Sequence, residues 1–215
     1  MNTSIKYLVT AGAASLLAVT SAQAESKTYD FSGFTGIDAS VGVEVEVSVG
    51  GDYSVRAEGD AEELERLRIE RRGETLKIDR NRKGGWFQVN RRGDFTVFVT
   101  MPTLEEVEAS SGAGVTAESI NADRFRVSVS SGADASLSGT CDTIEADGSS
   151  GADLNAEDLR CANAIADVSS GADLTIYASD SVDADASSGG SIRVYGGPQS
   201  TDVSKSSGGS VSIRN

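Results

Sequence analysis

The sequence of 215 residues contains no histidine, only two cysteines and only two prolines. Histidine is the commonest general base and metal ligand of proteins, so its absence excludes Ser–His and Cys–His nucleophile pairs. Aromatic residues are also scarce, at 6% of the chain. These shortages argue against an enzyme, and we expect neither catalysis nor a cofactor.

Long apolar runs are missing everywhere except at the start of the chain. Lys6 precedes a mostly apolar stretch from Tyr7 to Val19, and Ala22-Gln23-Ala24 fits a small-x-small cleavage site. The run is shorter than the roughly 20 residues of a membrane-spanning helix. We predict a signal peptide over residues 1–24, a mature chain that begins at Glu25, and export. The periplasm is the expected compartment, and the cell surface and the medium stay open.

The charge is strongly negative and unevenly distributed. The net charge is −14, yet the stretch from Arg80 to Arg92 contains five basic residues and no acidic one. From Ser110 onward, the chain has 15 acidic residues and 6 basic ones. Such an acidic chain is a poor partner for nucleic acid or for an anionic membrane surface.

An internal repeat organises the second half of the chain. Ser-Ser-Gly recurs six times, beginning at Ser110, Ser130, Ser149, Ser169, Ser187 and Ser206. Apolar residues stand three and five positions after each glycine with a polar residue between them, as in Leu174-Thr175-Ile176. In the three residues before the first serine of most repeats, a polar residue likewise stands between two apolar ones. Period-2 alternation indicates strands with one buried face, so each unit of about 19 residues is predicted as strand, tight turn, strand and polar loop.

Repeats of this length stack into solenoids because a single unit cannot bury its apolar face. The predicted fold class is therefore all-β, a parallel β-helix-like solenoid of stacked coils with a period of about 19 residues. Residues 25–109 are also rich in strand patterns, notably the alternating valines from Val41 to Val49. We expect them to continue the stack of residues 110–215 as one domain. The only predicted helix is a turn or two within Asp60–Arg66.

The order of short motifs resembles a known family. Phe31-Ser32-Gly33-Phe34, Met101-Pro102-Thr103-Leu104 and Val194-Tyr195-Gly196-Gly197-Pro198 flank the repeated Ser-Gly-Ala-Asp turns. Together they resemble the bacterial "putative auto-transporter adhesin, head GIN domain" family of exported proteins without established function. The resemblance implies a β-helix-like stack and supplies no catalytic residues.

The two cysteines occupy equivalent positions in successive repeats. Cys141 and Cys161 each stand eight residues before the first serine of the next turn. Vertical neighbours in a stack lie about 4.8 Å apart, within the Cα range of a disulfide, roughly 4.4–6.8 Å. The register therefore predicts a disulfide between two coils. Two free buried thiols and a redox pair are the alternatives.

Aspartates also recur at fixed offsets. One row is Asp134, Asp153 and Asp173, and a second is Asp147, Asp167 and Asp185. Carboxylates in such rows repel one another. They are interpreted as solvated, solubilising rows, with Ca²⁺ binding as the weaker alternative.

The basic segment is the most distinctive candidate for ligand binding. It groups arginines with the only tryptophan, residue types that are enriched in binding hot spots. A hairpin that caps the end of the stack is the alternative interpretation. The candidate residues are Arg80, Arg82, Lys83, Trp86, Phe87, Arg91 and Arg92.

Three functions follow from these observations. The first is a non-enzymatic, adhesion-like binding module of the cell envelope whose partner is an envelope glycan or protein. The second is a structural or stress-related periplasmic protein without a specific ligand. The third, with the least support, is a polysaccharide-active enzyme, because some parallel β-helices cleave polysaccharides with aspartates and an arginine.

Overall fold

The protein is described by a computed structural model that covers residues 25–81 and 95–214. Within those ranges the chain forms one sheet of 15 strands that is wound into stacked coils, with a single short helix. The elements are β1 (Glu25–Tyr29), β2 (Gly36–Ser40), β3 (Glu44–Val49), β4 (Ser54–Gly59), α1 (Ala61–Leu64), β5 (Leu67–Arg72), β6 (Thr75–Arg80), β7 (Phe95–Met101), β8 (Glu106–Ser110), β9 (Gly114–Val129), β10 (Asp134–Gly148), β11 (Asp153–Val168), β12 (Asp173–Ala186), β13 (Ser191–Tyr195), β14 (Ser200–Lys205) and β15 (Ser210–Ile213).

The predicted solenoid is confirmed. Strands β9 to β12 pair in parallel, each with the next along the chain. Alternate side chains point inward and are buried, and most of the interior positions hold Ala, Val, Leu or Ile. Small and branched apolar residues suit this narrow interior because two sheet faces meet there at close range.

Each Ser-Ser-Gly turn brings the chain from one sheet face to the next. In the first of them, φ is +54° at Ser111 and +73° at Gly112, as a type I′ turn requires at both central residues. Ala113 N–H donates to Ser110 O at 3.2 Å and closes the turn. The turns also bond to each other along the stack, since Gly112 N–H donates to the carbonyl oxygen of Ser131 at 3.2 Å.

The repeat begins earlier than the Ser-Ser-Gly pattern indicates. Ser40-Val41-Gly42 connects β2 to β3 with φ of +63° at Val41 and +66° at Gly42. Ser40 lies in register with Ser110 on the neighbouring strand. This turn therefore belongs to the same column, and the predicted strand from Val41 in fact begins at Glu44.

The predicted polar loop between the two strands of a unit is wrong. Strands β9 to β12 run for 14 to 16 residues without interruption. The chain rounds the second corner of each coil at register shifts, such as the one between Leu137 and Gly139. The polar side chains there face outward, so the backbone keeps its ladder hydrogen bonds and needs no loop.

The strands before Ser110 join the stack and close its first end. β3 and β8 pair in parallel with β9, whereas β4 and β1 add antiparallel strands beyond β7. The predicted helical segment contributes a single turn, α1, which buries Leu64. The chain turns back at Arg72-Gly73-Glu74 as a hairpin, with β5 antiparallel to β6.

The last coil is finished differently. β14 and β15 pair with β12 and β13 on one side, and no described strand pairs with their other side. Lys205 takes the place in register that Ala186 holds in the preceding coil. A charge at an otherwise inward position discourages further strand addition at an edge.

None of the helical segments among the described residues has the length and apolar character to cross a membrane.

Candidate binding surfaces

The basic segment falls mostly outside the described residues. Arg82, Lys83, Trp86, Phe87, Arg91 and Arg92 lie there, and a role for them in binding stays a prediction from the sequence. Arg80 is described, and its side chain is only 8% exposed. Its Nε–H donates to the carbonyl oxygen of Val41 at 2.8 Å, and Nη1 lies 3.6 Å from a carboxylate oxygen of Glu63. Arg80 thus holds the first turn of the column and offers little surface to a ligand.

The row of Asp147, Asp167 and Asp185 lines a shallow groove beside the turns. The three aspartates are in register on β10, β11 and β12, with Ser128 before them and Ser204 after them. The first serines of the turns form the other wall, and the groove has a volume of about 550 Å³. Because the coils repeat about every 4.8 Å, the groove presents the same hydroxyl and carboxylate groups at regular intervals.

Stacking affects the ionisation of this row. The pKa of Asp167 is raised above its usual value, first by partial burial and then by the neighbouring carboxylates of Asp147, Asp185 and Asp183. The other row behaves alike, because burial and the charges of Asp173 and Asp134 raise the pKa of Asp153. Carboxylates in these rows are therefore crowded by like charge, as the sequence predicts.

The Ca²⁺ alternative finds little geometric support. Within residues 25–81 and 95–214, no three acidic or cysteine side chains converge to hold a metal ion. In each straight row of three, only the middle aspartate, Asp153 or Asp167, has an aspartate on both sides. The interpretation of the rows Asp134–Asp153–Asp173 and Asp147–Asp167–Asp185 as solvated surface stays a prediction from the sequence.

The cysteines meet as their register predicts. Cys141 and Cys161 are directly paired on β10 and β11 and form a disulfide, with Cα atoms 4.5 Å apart. Both side chains are buried. The bond joins two coils at the corner opposite the turns and leaves neither thiol free.

A second polar groove lies on the same sheet face, toward the first coils. Its volume is about 600 Å³, and its walls include Glu74, Glu105, Arg124 and Arg126. Both arginines contact one carboxylate, since Arg124 Nη1 donates to Glu145 Oε1 at 2.6 Å and Arg126 Nη2 to Glu145 Oε2 at 2.9 Å. The walls also include Glu106 and Asp123, so acidic side chains outnumber the two arginines and the groove has no net positive charge.

Two partly exposed tyrosines are adjacent on the opposite sheet face. Tyr177 and Tyr195 are directly paired on β12 and β13, but they are not among the residues predicted to bind a ligand. Both stand six residues after the glycine of a turn. As for the cysteines, an equal distance from the turn in successive repeats places the two tyrosines on neighbouring strands.

Comparison with known proteins connects these features to one family. A family described as "Putative auto-transporter adhesin, head GIN domain" matches residues 33–198. None of the curated proteins is significantly similar to the chain. The match covers most of both the capped N-terminal part and the Ser-Ser-Gly repeats.

Several crystal structures share the fold. A protein described as a putative adhesin from Bacteroides fragilis NCTC 9343 has a TM-score of 0.70 at 19% identity, covering 90% of this chain and 98% of its own. A protein described as a putative lipid binding protein from Parabacteroides distasonis ATCC 8503 has a TM-score of 0.52 at 16% identity, with 89% and 97% covered. A putative adhesin from Parabacteroides merdae ATCC 43184 scores 0.50 at 15% identity, with 90% and 97% covered. At these identities the likeness concerns the fold alone.

Proposed function

Because the chain belongs to the "Putative auto-transporter adhesin, head GIN domain" family, we propose that it is a non-enzymatic, adhesion-like module that binds an envelope glycan. The observation that carries the proposal is the groove along Asp147, Asp167 and Asp185. Its hydroxyl and carboxylate groups repeat at the spacing of the coils. A regular array of this kind suits a ligand that is itself a regular, hydroxyl-rich polymer.

The rigidity of the groove favours binding. Strand pairing on both sides fixes the backbone of each aspartate, so little conformational entropy is lost there when a ligand is held. The groove is shallow and open rather than enclosed, which suits an extended chain that passes through it. An enclosed small-molecule pocket would be deeper and largely apolar.

The chemistry of the site supports binding over catalysis. The sequence has no histidine, and both cysteines are in the disulfide. The groove aspartates form a row of equivalent groups, whereas a hydrolase needs two carboxylates in different environments, one protonated and one ionised. A disulfide is also typical of proteins outside the cytoplasm, where an envelope ligand would be met.

The two aspartate rows provide a matched test. The triple variant Asp147→Asn/Asp167→Asn/Asp185→Asn changes the groove, and Asp134→Asn/Asp153→Asn/Asp173→Asn removes the same charge from the other row. Retention of the purified protein on immobilised envelope polysaccharide is measured for the wild type and for both variants. We expect the groove variant to lose retention and the other variant to keep it.

The outcomes separate the candidate functions. Equal retention of both variants would exclude the groove as the site. Failure of the wild type to bind any envelope polysaccharide would favour a structural protein without a specific ligand. Release of new reducing ends from the polysaccharide would favour an enzyme.

The basic segment is tested in the same assay. The variant Arg82→Ala/Trp86→Ala/Arg91→Ala should weaken retention and leave the melting temperature unchanged if the segment contributes to binding. If Trp86 caps the stack instead, the melting temperature should fall. Unchanged retention and unchanged stability would remove the segment from the proposed function.

A further inference from the structure

Basic and aromatic side chains are concentrated on one face of the last coils. From Ser110 onward the only tyrosines are Tyr177 and Tyr195, and acidic residues outnumber basic ones by 15 to 6. Two of those six basic residues, Arg160 and Arg193, accompany the tyrosines. We name Arg160, Tyr177, Arg193 and Tyr195 the Tyr–Arg patch.

Strand register fixes the positions of three of these side chains. Tyr177 pairs with Tyr195, and Thr175 pairs with Arg193, on β12 and β13. Ile176 and Val194, which separate them along the strands, are fully buried. Because side chains alternate between the two faces of a strand, both tyrosines and Arg193 project outward from the same face. The two tyrosines therefore lie on neighbouring strands, whose backbones are about 4.8 Å apart along the stack.

Contacts within the patch hold the side chains in place. The guanidinium carbon of Arg160 lies 4.4 Å from the centroid of the Tyr177 ring, within the range of a cation–π contact. Arg193 Nη1 donates to the Thr175 hydroxyl at 3.2 Å. The nearest carboxylate to Arg160 is that of Asp158, at 3.9 Å. Both guanidinium groups thus keep donors that are directed toward solvent.

We propose that the Tyr–Arg patch binds the carboxylated sugar units of an acidic polysaccharide. A guanidinium group matches a carboxylate with two parallel hydrogen bonds. A tyrosine ring offers a flat apolar face with a polar edge, which complements the apolar face of a pyranose ring. An acidic peptide would engage the arginines but would leave the tyrosines without a flat partner.

This inference rests on the proposed function and adds a second site, on the sheet face opposite the aspartate groove. The carboxylates of an acidic polysaccharide would require a positive group, which the row of aspartates does not offer. In the Tyr–Arg patch, Arg160 lies 3.9 Å from the carboxylate of Asp158, whereas Arg124 and Arg126 contact Glu145 more closely, at 2.6 and 2.9 Å. The patch is therefore the better candidate for recognition of the anionic group.

The test uses hexagalacturonate as the probe and calorimetric titration of the disulfide-bonded protein as the measurement. Tyr195→Ala and Arg193→Gln should each lower the affinity about tenfold, the change expected of a residue central to a site. The control is Arg124→Gln, which removes the same charge from an exposed side chain elsewhere and should leave the affinity unchanged. Circular dichroism and melting temperature verify that each variant is folded.

Two further probes decide the chemical class. Maltohexaose, which lacks carboxylates, should bind at least about tenfold more weakly than hexagalacturonate. Hexaglutamate binding that is equally sensitive to Tyr195→Ala would overturn the assignment to a saccharide. Equal affinity of the wild type and both patch variants for hexagalacturonate would overturn the patch as the site. Absence of hexagalacturonate binding would overturn this inference alone, provided that envelope polysaccharide is still retained through the groove.

Discussion

At the residue scale, the disulfide between Cys141 and Cys161 closes a loop with a sequence separation of 20 residues. A cross-link of that length restricts the unfolded chain and contributes about 3 kcal/mol in the chain-entropy description. The variant Cys141→Ala/Cys161→Ala should therefore unfold at lower denaturant concentration, with a free energy of unfolding reduced by about 3 kcal/mol. Chemical denaturation of the two proteins measures the difference.

The disulfide variant also has an internal control. A reductant should lower the stability of the wild type to that of the variant and should not affect the variant itself. The fold should persist in both cases because the apolar interior rows are intact. Two reactive thiols per unfolded, unreduced chain from the exported protein would show that the bond is absent.

Asp167 carries the second prediction at this scale. Partial burial and neighbouring carboxylates raise its pKa in the folded protein, so the folded state binds a proton more tightly than the unfolded state. The penalty from its charge is fully present above the raised pKa and is relieved as the pH falls toward the unfolded value of about 3.9. Asp167→Asn should stabilise the protein near pH 7 by about a few tenths of a kcal/mol, because solvent screens this exposed position, and this gain should shrink as the pH is lowered.

The control for this prediction removes one negative charge away from the rows. Asp52 is exposed between β3 and β4, and Asp52→Asn should show neither the gain nor its pH dependence. Added salt should reduce the gain of Asp167→Asn, because screening weakens repulsion between exposed charges. A destabilising effect of Asp167→Asn at neutral pH would contradict the proposed origin of the raised pKa.

At the scale of the elements, the corners of each coil depend on different physical features. The Ser-Ser-Gly corner uses a turn whose glycine has open space around it, as at Gly132. The opposite corner of β10 depends on Gly139, where φ is +137° and an added Cβ would overlap the backbone of Ile120. The two glycines therefore differ in what a side chain would encounter.

Comparison of Gly132→Ala with Gly139→Ala separates the energetic cost of an unfavourable φ from the cost of steric overlap. Gly132→Ala should lower the free energy of unfolding by about 1–2 kcal/mol, because a residue with a Cβ is disfavoured in the left-handed backbone region. Gly139→Ala should lower it by about 3 kcal/mol or more, since strain and overlap add. Thermal or chemical unfolding measures both. Equal losses would show that the backbone at Gly139 relaxes freely.

The strands could be predicted because their alternation has a fixed period, and the disulfide because equal offsets become vertical neighbours. The turn at Ser40-Val41-Gly42 could not be found by the Ser-Ser-Gly pattern, since Val41 adopts its positive φ without the usual residue type. The second corner was also unpredictable, because polar outward residues at a bend resemble a loop in the sequence. The hydrogen bond from Arg80 to Val41 could not be predicted, because it depends on long-range strand pairing that no local sequence pattern shows.

At the scale of the whole molecule, the fold presents three distinct outer surfaces built from one repeat. The turn edge carries serine rows, one sheet face carries the aspartate groove, and the other carries the Tyr–Arg patch. The interior rows consist mainly of small or branched apolar residues, with Phe125 and Met101 among the larger side chains that are fully buried. The polar groups that a ligand could contact stand at the outward positions.

Export of the whole chain is the last prediction. Lys6, the apolar stretch from Tyr7 to Val19 and Ala22-Gln23-Ala24 precede Glu25. Cleavage after Ala24 would release the mature chain, and an oxidising compartment would permit the disulfide. Intact-mass measurement of protein from the periplasmic fraction should give a chain that begins at Glu25 with no free thiols. The variant Ala22→Leu/Ala24→Leu should block cleavage because large residues do not fit small-x-small sites, and the uncleaved chain should accumulate in the membrane fraction. A wild-type chain that keeps Met1 and two free thiols in the cytoplasm would contradict both export and the oxidising environment in which we place the protein.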